Sequence, residues 1–164
     1  MEVYLMQHAE ALPEQEDPER SLSPKGEKDA TQAGKALARL SINFSRIITS
    51  PKKRAIQTAK CVAREVNFPE ERIEIFPGLE PLARPEELAS QLAQMDLAGP
   101  TLLVGHLPSL GDLVSYLMAS TGKLSFRMAG IGCMEVQEWK RGGANMLWYL
   151  APEHLALIAK TETE

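Results

Sequence analysis

The 164-residue chain has little cysteine, no excess of basic charge, no long apolar run and no internal repeat. Each shortage removes a class of protein. The two cysteines, Cys61 and Cys133, are too few and too far apart for a disulfide framework or a metal knuckle. Cys61 falls in a helical pattern and Cys133 in a strand pattern, so both read as small apolar core residues. A reducing cytoplasm is therefore the expected compartment. A net charge of −4 speaks against nucleic acid as a partner, since phosphate-backbone binders carry a basic surface. No apolar run approaches the ~20 residues of a membrane span, and the first residues lack the basic flank of a signal peptide. Ordinary apolar (44%) and charged (24%) contents predict an ordered chain folding as one domain over residues 1–164.

What is there is an alternation of strand-like and helix-like segments. It predicts an α/β fold, a three-layer α/β/α sandwich with a mainly parallel sheet and an antiparallel edge. Residues 2–7 read as the first strand and 9–22 as an acidic, solvated loop. Ser23-Pro24 opens a helix as N-cap and first helical position, with Ala30, Ala33, Leu37 and Leu40 as its apolar stripe. Gly34 keeps that stripe thin, so the helix is expected to sit close to the sheet. Residues 46–49 form a second strand. Ser50-Pro51 repeats the cap-plus-proline signature and predicts a helix to about Val66, burying Ala55, Ala59, Val62 and Val66. A third strand is expected over 72–76, with Ile73 and Ile75 alternating with polar neighbours. Pro85-Glu86-Glu87 opens a helix burying Leu88, Leu92 and Met95. Residues 101–105 are continuously apolar, as in a central parallel strand covered on both faces. A helix follows from Pro108 through Ala119, with Leu110, Leu113, Val114, Leu117 and Met118 on one face. Strands at 132–139 and 145–150 form a hairpin around 140–143, on which Trp139, Trp148 and Tyr149 read as packing residues. The tail from Thr161 is polar and expected to fray, and His154 reads as structural or surface.

Two strands end on histidine: Val3 to Gln7 runs into His8, and Thr101 to Gly105 runs into His106. In an open parallel sheet, ligands bind beyond the carboxyl ends of the strands. Arg54 lies in the first turn of the helix after the second strand, so the fold brings it to the same edge. That turn also holds Lys52 and Lys53, three cations where the helix dipole prefers carboxylates. Such a turn is an anion site, and a phosphate dianion suits it. A neutral imidazole is a competent nucleophile at phosphorus; a second imidazole, protonated, can donate to a phosphoryl oxygen, and an arginine can hold two oxygens. A lone histidine at a strand end is often structural. It is the combination that points to phosphoryl transfer.

The same residues carry a resemblance. Ser50-Pro51-Lys52-Lys53-Arg54-Ala55-Ile56-Gln57-Thr58-Ala59, followed downstream by Gly105-His106-Leu107-Pro108, resembles the signature blocks of the histidine phosphatase superfamily, the phosphoglycerate mutase-like group. Within it the chain is similar to the small phosphohistidine phosphatases of the SixA type, over essentially its whole length. The resemblance implies a metal-independent and cofactor-free phosphatase with His8 as nucleophile and with Arg54 and His106 binding the phosphoryl group. It implies a phosphorylated protein as substrate, with small phosphoesters as the alternative. The first block departs from the family pattern: Arg-His-Gly is here Gln7-His8-Ala9. Gln7 falls at the family's substrate-binding arginine, and losing that charge-assisted contact removes about 1.5–3 kcal/mol of phosphate interaction. A degenerate phosphate-binding or regulatory module is the reading that Gln7 motivates. Glu80 is the nearest candidate for a leaving-group acid, although it reads more simply as a loop residue.

Overall fold

The computed structural model describes residues 1–160. Six strands form one sheet: β1 (Glu2–Gln7), β2 (Arg46–Thr49), β3 (Glu74–Ile75), β4 (Thr101–Gly105), β5 (Ile131–Val136) and β6 (Ala144–Leu150). Their order is β3-β2-β4-β1-β5-β6. The first four run parallel, while β5 and β6 add an antiparallel edge. Helices α1 (Pro24–Arg39), α2 (Lys53–Glu65) and α5 (Pro152–Ala159) cover one face, and α3 (Pro85–Gln94) and α4 (Ser109–Leu117) cover the other.

Alternation within the strands divides the core. Tyr4, Met6, Ile47, Leu102 and Val104 point toward α1, α2 and α5, whereas Val3, Leu5, Ile48 and Leu103 point toward α3 and α4. Every residue of β4 is buried, as its unbroken apolar run requires. The expected three-layer sandwich, parallel with an antiparallel edge, is the fold observed.

Several local expectations need correcting. Ser23 caps α1 by accepting from the Gly26 N–H at 3.0 Å, as predicted. Ser50 does not cap α2: that helix begins at Lys53, its N-cap is Lys52, and no side chain caps it. Ser50 Oγ accepts instead from the Lys52 N–H two residues on, a local turn that competes with helix entry. Gly34 allows close approach to α2 rather than to the sheet, since a Cβ there would meet Val62 Cα at 3.0 Å. Leu40 lies past the end of α1 and is 45% exposed, and Met118 is likewise exposed beyond α4. The third strand shrinks to two residues because Glu70–Arg72 turn as a short 3-10 helix, and Ile75 at the edge is 58% exposed. A bidentate pair from Arg46 to Glu74, at 2.8 and 2.6 Å, pins that edge to β2. Helix α5 had no counterpart in the sequence reading; the expected fraying from Thr161 lies outside the described residues.

Candidate active site

The carboxyl ends of β1, β4 and β2 lie side by side. Backbone bonds continue the ladder one residue further, from His8 N–H to the Gly105 carbonyl and from Ser50 N–H to the Val104 carbonyl, each 3.0 Å. His8, His106 and Ser50 are thereby fixed at one edge. The two imidazoles stand with ring centres 5.0 Å apart. His8 is 8% exposed and His106 2% exposed.

Hydrogen bonds assign the His8 tautomer. Nδ1 lies 2.7 Å from the Ala9 carbonyl, which can only accept, so Nδ1 carries the proton. The lone pair is therefore on Nε2, and Arg54 Nε approaches that atom at 3.4 Å. Thr58 holds this geometry from α2: it accepts from the Ala9 N–H at 3.0 Å and donates to the Arg54 carbonyl at 2.7 Å. His106 Nε2 shares a hydrogen bond of 2.8 Å with Ser50 Oγ.

Electrostatics keep both rings neutral. Burial pushes His8 down to about 4; the Ala9 bond opposes the shift, and Arg54 and Arg20 add to it. His106 is pushed to about 3, by burial first and then by His8, Arg54, Lys52 and Arg20. Burial first, and then the like charges that face it, disfavour a proton on the second imidazole. Arg54 is lowered by burial and by Arg20 yet stays charged.

This has a measurable sign. An unfolded histidine takes up its proton near pH 6.5, whereas these two folded rings refuse it until about 4 and about 3. Between those values the unfolded chain binds more protons, so the contribution to stability is full above ~6.5 and is lost as pH falls through the window. Denaturant midpoints should fall from about pH 7 to about pH 5, where carboxylates remain largely ionised. The double variant His8→Ala/His106→Ala should flatten that slope; an unchanged slope would show that the rings are not held neutral.

The three predicted residues His8, Arg54 and His106 thus meet in one place. Gln7 is half-buried beside them, and its Oε1 is buried without a partner. So is His106 Nδ1, and these are the two such buried side-chain atoms among the described residues. Unpaired buried polar atoms are costly, and their concentration here marks a place shaped for something polar. An open groove of about 690 Å³ runs from Lys52 and Arg54 past Glu80 to Leu82 and Arg84. Lys53 does not line that groove and pairs with Glu19 of the acidic loop at 2.7 Å. His154 is exposed and accepts the Ala151 N–H at the start of α5, away from the site. Sequence reasoning took Ser50 for a cap and gave Thr58 no role. A threonine at helical spacing between Ala55 and Val62 of the apolar stripe was the available signal, and the structure buries it wholly.

Comparison with known proteins now decides the family. Residues 3–106 match the model of the histidine phosphatase superfamily, branch 1. The chain belongs to that superfamily. It is 27% identical to the phosphohistidine phosphatase SixA of Escherichia coli K12, over 96% of this chain and 98% of that one. It is 31% identical to a SixA homologue of Haemophilus influenzae, over 80% of this chain and 85% of that one. Among solved structures, the protein histidine phosphatase SixA complexed with tungstate superposes with a TM-score of 0.83 at 26% identity, covering 94% of this chain and 99% of that one. These relatives place the chain on the SixA-type branch and support phosphatase activity of the histidine phosphatase kind.

Proposed function

We propose that this protein hydrolyses phosphohistidine carried on another protein, through a phosphohistidine intermediate on its own His8. The observation that carries the proposal is the pinned tautomer: Nδ1 is committed to Ala9, so an unprotonated Nε2 is presented beside Arg54. In the first step Nε2 attacks phosphorus, the P–N bond to the substrate imidazole breaks, and the departing nitrogen keeps the electron pair and takes a proton from solvent. In the second, water attacks the same phosphorus and the P–Nε2 bond breaks, releasing inorganic phosphate and the free imidazole. Arg54 holds phosphoryl oxygens with its planar fork. His106 acquires its proton when a dianion enters, because the opposite charge then outweighs the surrounding cations. Gln7 contributes amide N–H donors in the place of a charge.

Two features favour a protein-borne phosphoramidate. An imidazole leaving group has a conjugate acid of pKa about 6.5 and needs little acid assistance. The groove beside Arg54 is open, and Leu82 on its rim is 86% exposed, an apolar contact offered to a partner surface rather than to a small metabolite. The E. coli relative's name, phosphohistidine phosphatase, agrees with this substrate. Side-by-side rates test it: kcat/KM for a phosphohistidine protein should exceed that for small phosphate monoesters by at least ~10-fold. Faster hydrolysis of esters, lost in Glu80→Gln, would instead make Glu80 a leaving-group acid and overturn the substrate assignment.

A further inference from the structure

The acidic loop between β1 and α1 is more built than a solvated connection needs to be. Ala11 and Leu22 pair as an antiparallel bridge, and the Leu12 N–H donates to the Ser21 carbonyl at 2.8 Å. Inside the loop the Asp17 carboxylate accepts from the N–H groups of Glu19 and Ser21, at 3.0 and 2.9 Å, and from the Ser21 hydroxyl. Outside, the loop is fastened to α2 by the Lys53–Glu19 pair and by the Leu22 N–H donating to Gln57 Oε1 at 2.7 Å. Gln57 belongs to the same helix that delivers Arg54 and Thr58 to the site.

What this scaffold holds is Arg20. Its backbone sits in the left-handed region, φ 52°, which an arginine occupies only when its surroundings impose it. Its N–H donates to the Asp17 carbonyl at 2.9 Å, and its Nε–H to the Leu12 carbonyl at 3.2 Å. The guanidinium is thus anchored along one edge. Its terminal nitrogens meet no protein acceptor, and it joins no ion pair among the described residues. The two acids nearest Arg20 in the chain are engaged elsewhere: Asp17 with backbone and the Ser21 hydroxyl, Glu19 with Lys53. Yet Arg20 acts on His8, Arg54 and His106 together, lowering the proton affinity of each after burial has done so.

Arg20 and Arg54 are both half-buried with no carboxylate paired to either, and the Glu19–Lys53 pair at 2.7 Å joins the residues beside them in the chain. Like charges so placed repel, and a dianion between them reverses the sign of that interaction. The end of β1 offers only the uncharged Gln7. We propose that Arg20 is a phosphate-binding residue, the second guanidinium of the site, reaching the phosphoryl group from the loop while Arg54 reaches it from α2. This rests on the reading that the site accepts a phosphoryl group. It adds a residue and a compensation to it: the charge missing at position 7 is supplied from position 20.

Calorimetric titration of the full chain with orthovanadate tests this without requiring turnover. Arg20→Gln should weaken orthovanadate binding by about 10–100-fold, the range for losing one charge-assisted contact. Arg20→Lys should recover part of the loss, since it keeps the charge but not the fork. Adding Gln7→Arg to Arg20→Gln should restore most of the affinity. Binding by Arg20→Gln within about twofold of wild type would overturn the proposal. So would equal losses in Arg20→Gln and Arg20→Lys accompanied by a lowered Tm, which would make Arg20 a brace for the loop. The two readings fail separately. A wild-type protein that binds orthovanadate but never forms a phosphoenzyme defeats the phosphatase mechanism alone, and robust turnover with unaltered binding in Arg20→Gln defeats Arg20 alone.

Discussion

His8→Ala is expected to abolish turnover and phosphoenzyme formation together. No other lone pair replaces Nε2: the Ser50 hydroxyl is tied to His106 and Lys52, and both cysteines are buried in the core. Removing a covalent nucleophile should lower kcat by roughly 10⁴-fold or more. The fold should survive, because the backbone bond from residue 8 to Gly105 does not involve the side chain. Its denaturant midpoint near pH 7 should stay close to wild type, and the anion site should still bind orthovanadate. Acid-labile, base-stable labelling by a phosphorylated substrate protein, followed with and without the substitution, checks the chemistry. Persistent labelling in His8→Ala would end the mechanism proposed above.

Arg54→Ala is the second large effect. Arg54 approaches Nε2 at 3.4 Å, and in the mechanism proposed above its guanidinium faces the phosphoryl oxygens as negative charge develops on them. Loss of one preorganised donor of this kind lowers kcat by about 10²–10³-fold. Arg54→Lys should regain only a minor part, since a point charge cannot hold two oxygens in a plane. Because Arg54 is also one of the charges depressing both imidazoles, its removal should raise their pKa values. The acid limb of kcat/KM should then move upward from the value of about 4 set by His8. A rate loss without that movement would show that Arg54 acts on substrate from farther away than the structure places it.

Much of this site was legible in the sequence because it depends on strand ends. An apolar run that stops on a polar residue locates β1 and β4, and parallel pairing then brings His8 and His106 together whatever their separation in the chain. Arg54 was legible for a different reason: cations in a helix's first turn oppose the dipole and ask for an anion. What stayed hidden depends on contacts between segments. Ser50 satisfies the local rules for a cap, and only the approach of β4 shows its hydroxyl bound to a histidine. The loop of residues 9–22 reads as solvated because its carboxylates dominate it; the structure shows Asp17 turned to backbone and Glu19 to Lys53, with Arg20 joining no ion pair among the described residues. Helix α5 escaped notice because, of its eight residues, only Leu155 is fully buried, so its apolar periodicity is weak.

The position of β1 has one more consequence. It lies inside the sheet, paired with β4 on one side and β5 on the other, while the strands open to solvent are the two-residue β3 and the hairpin strand β6. Local opening of such a sheet starts at its margins, where fewer bonds must break. His8 is therefore mounted on the part of the backbone that exchanges its amide hydrogens last. Fluctuations that loosen an edge strand leave the His8 imidazole where it was.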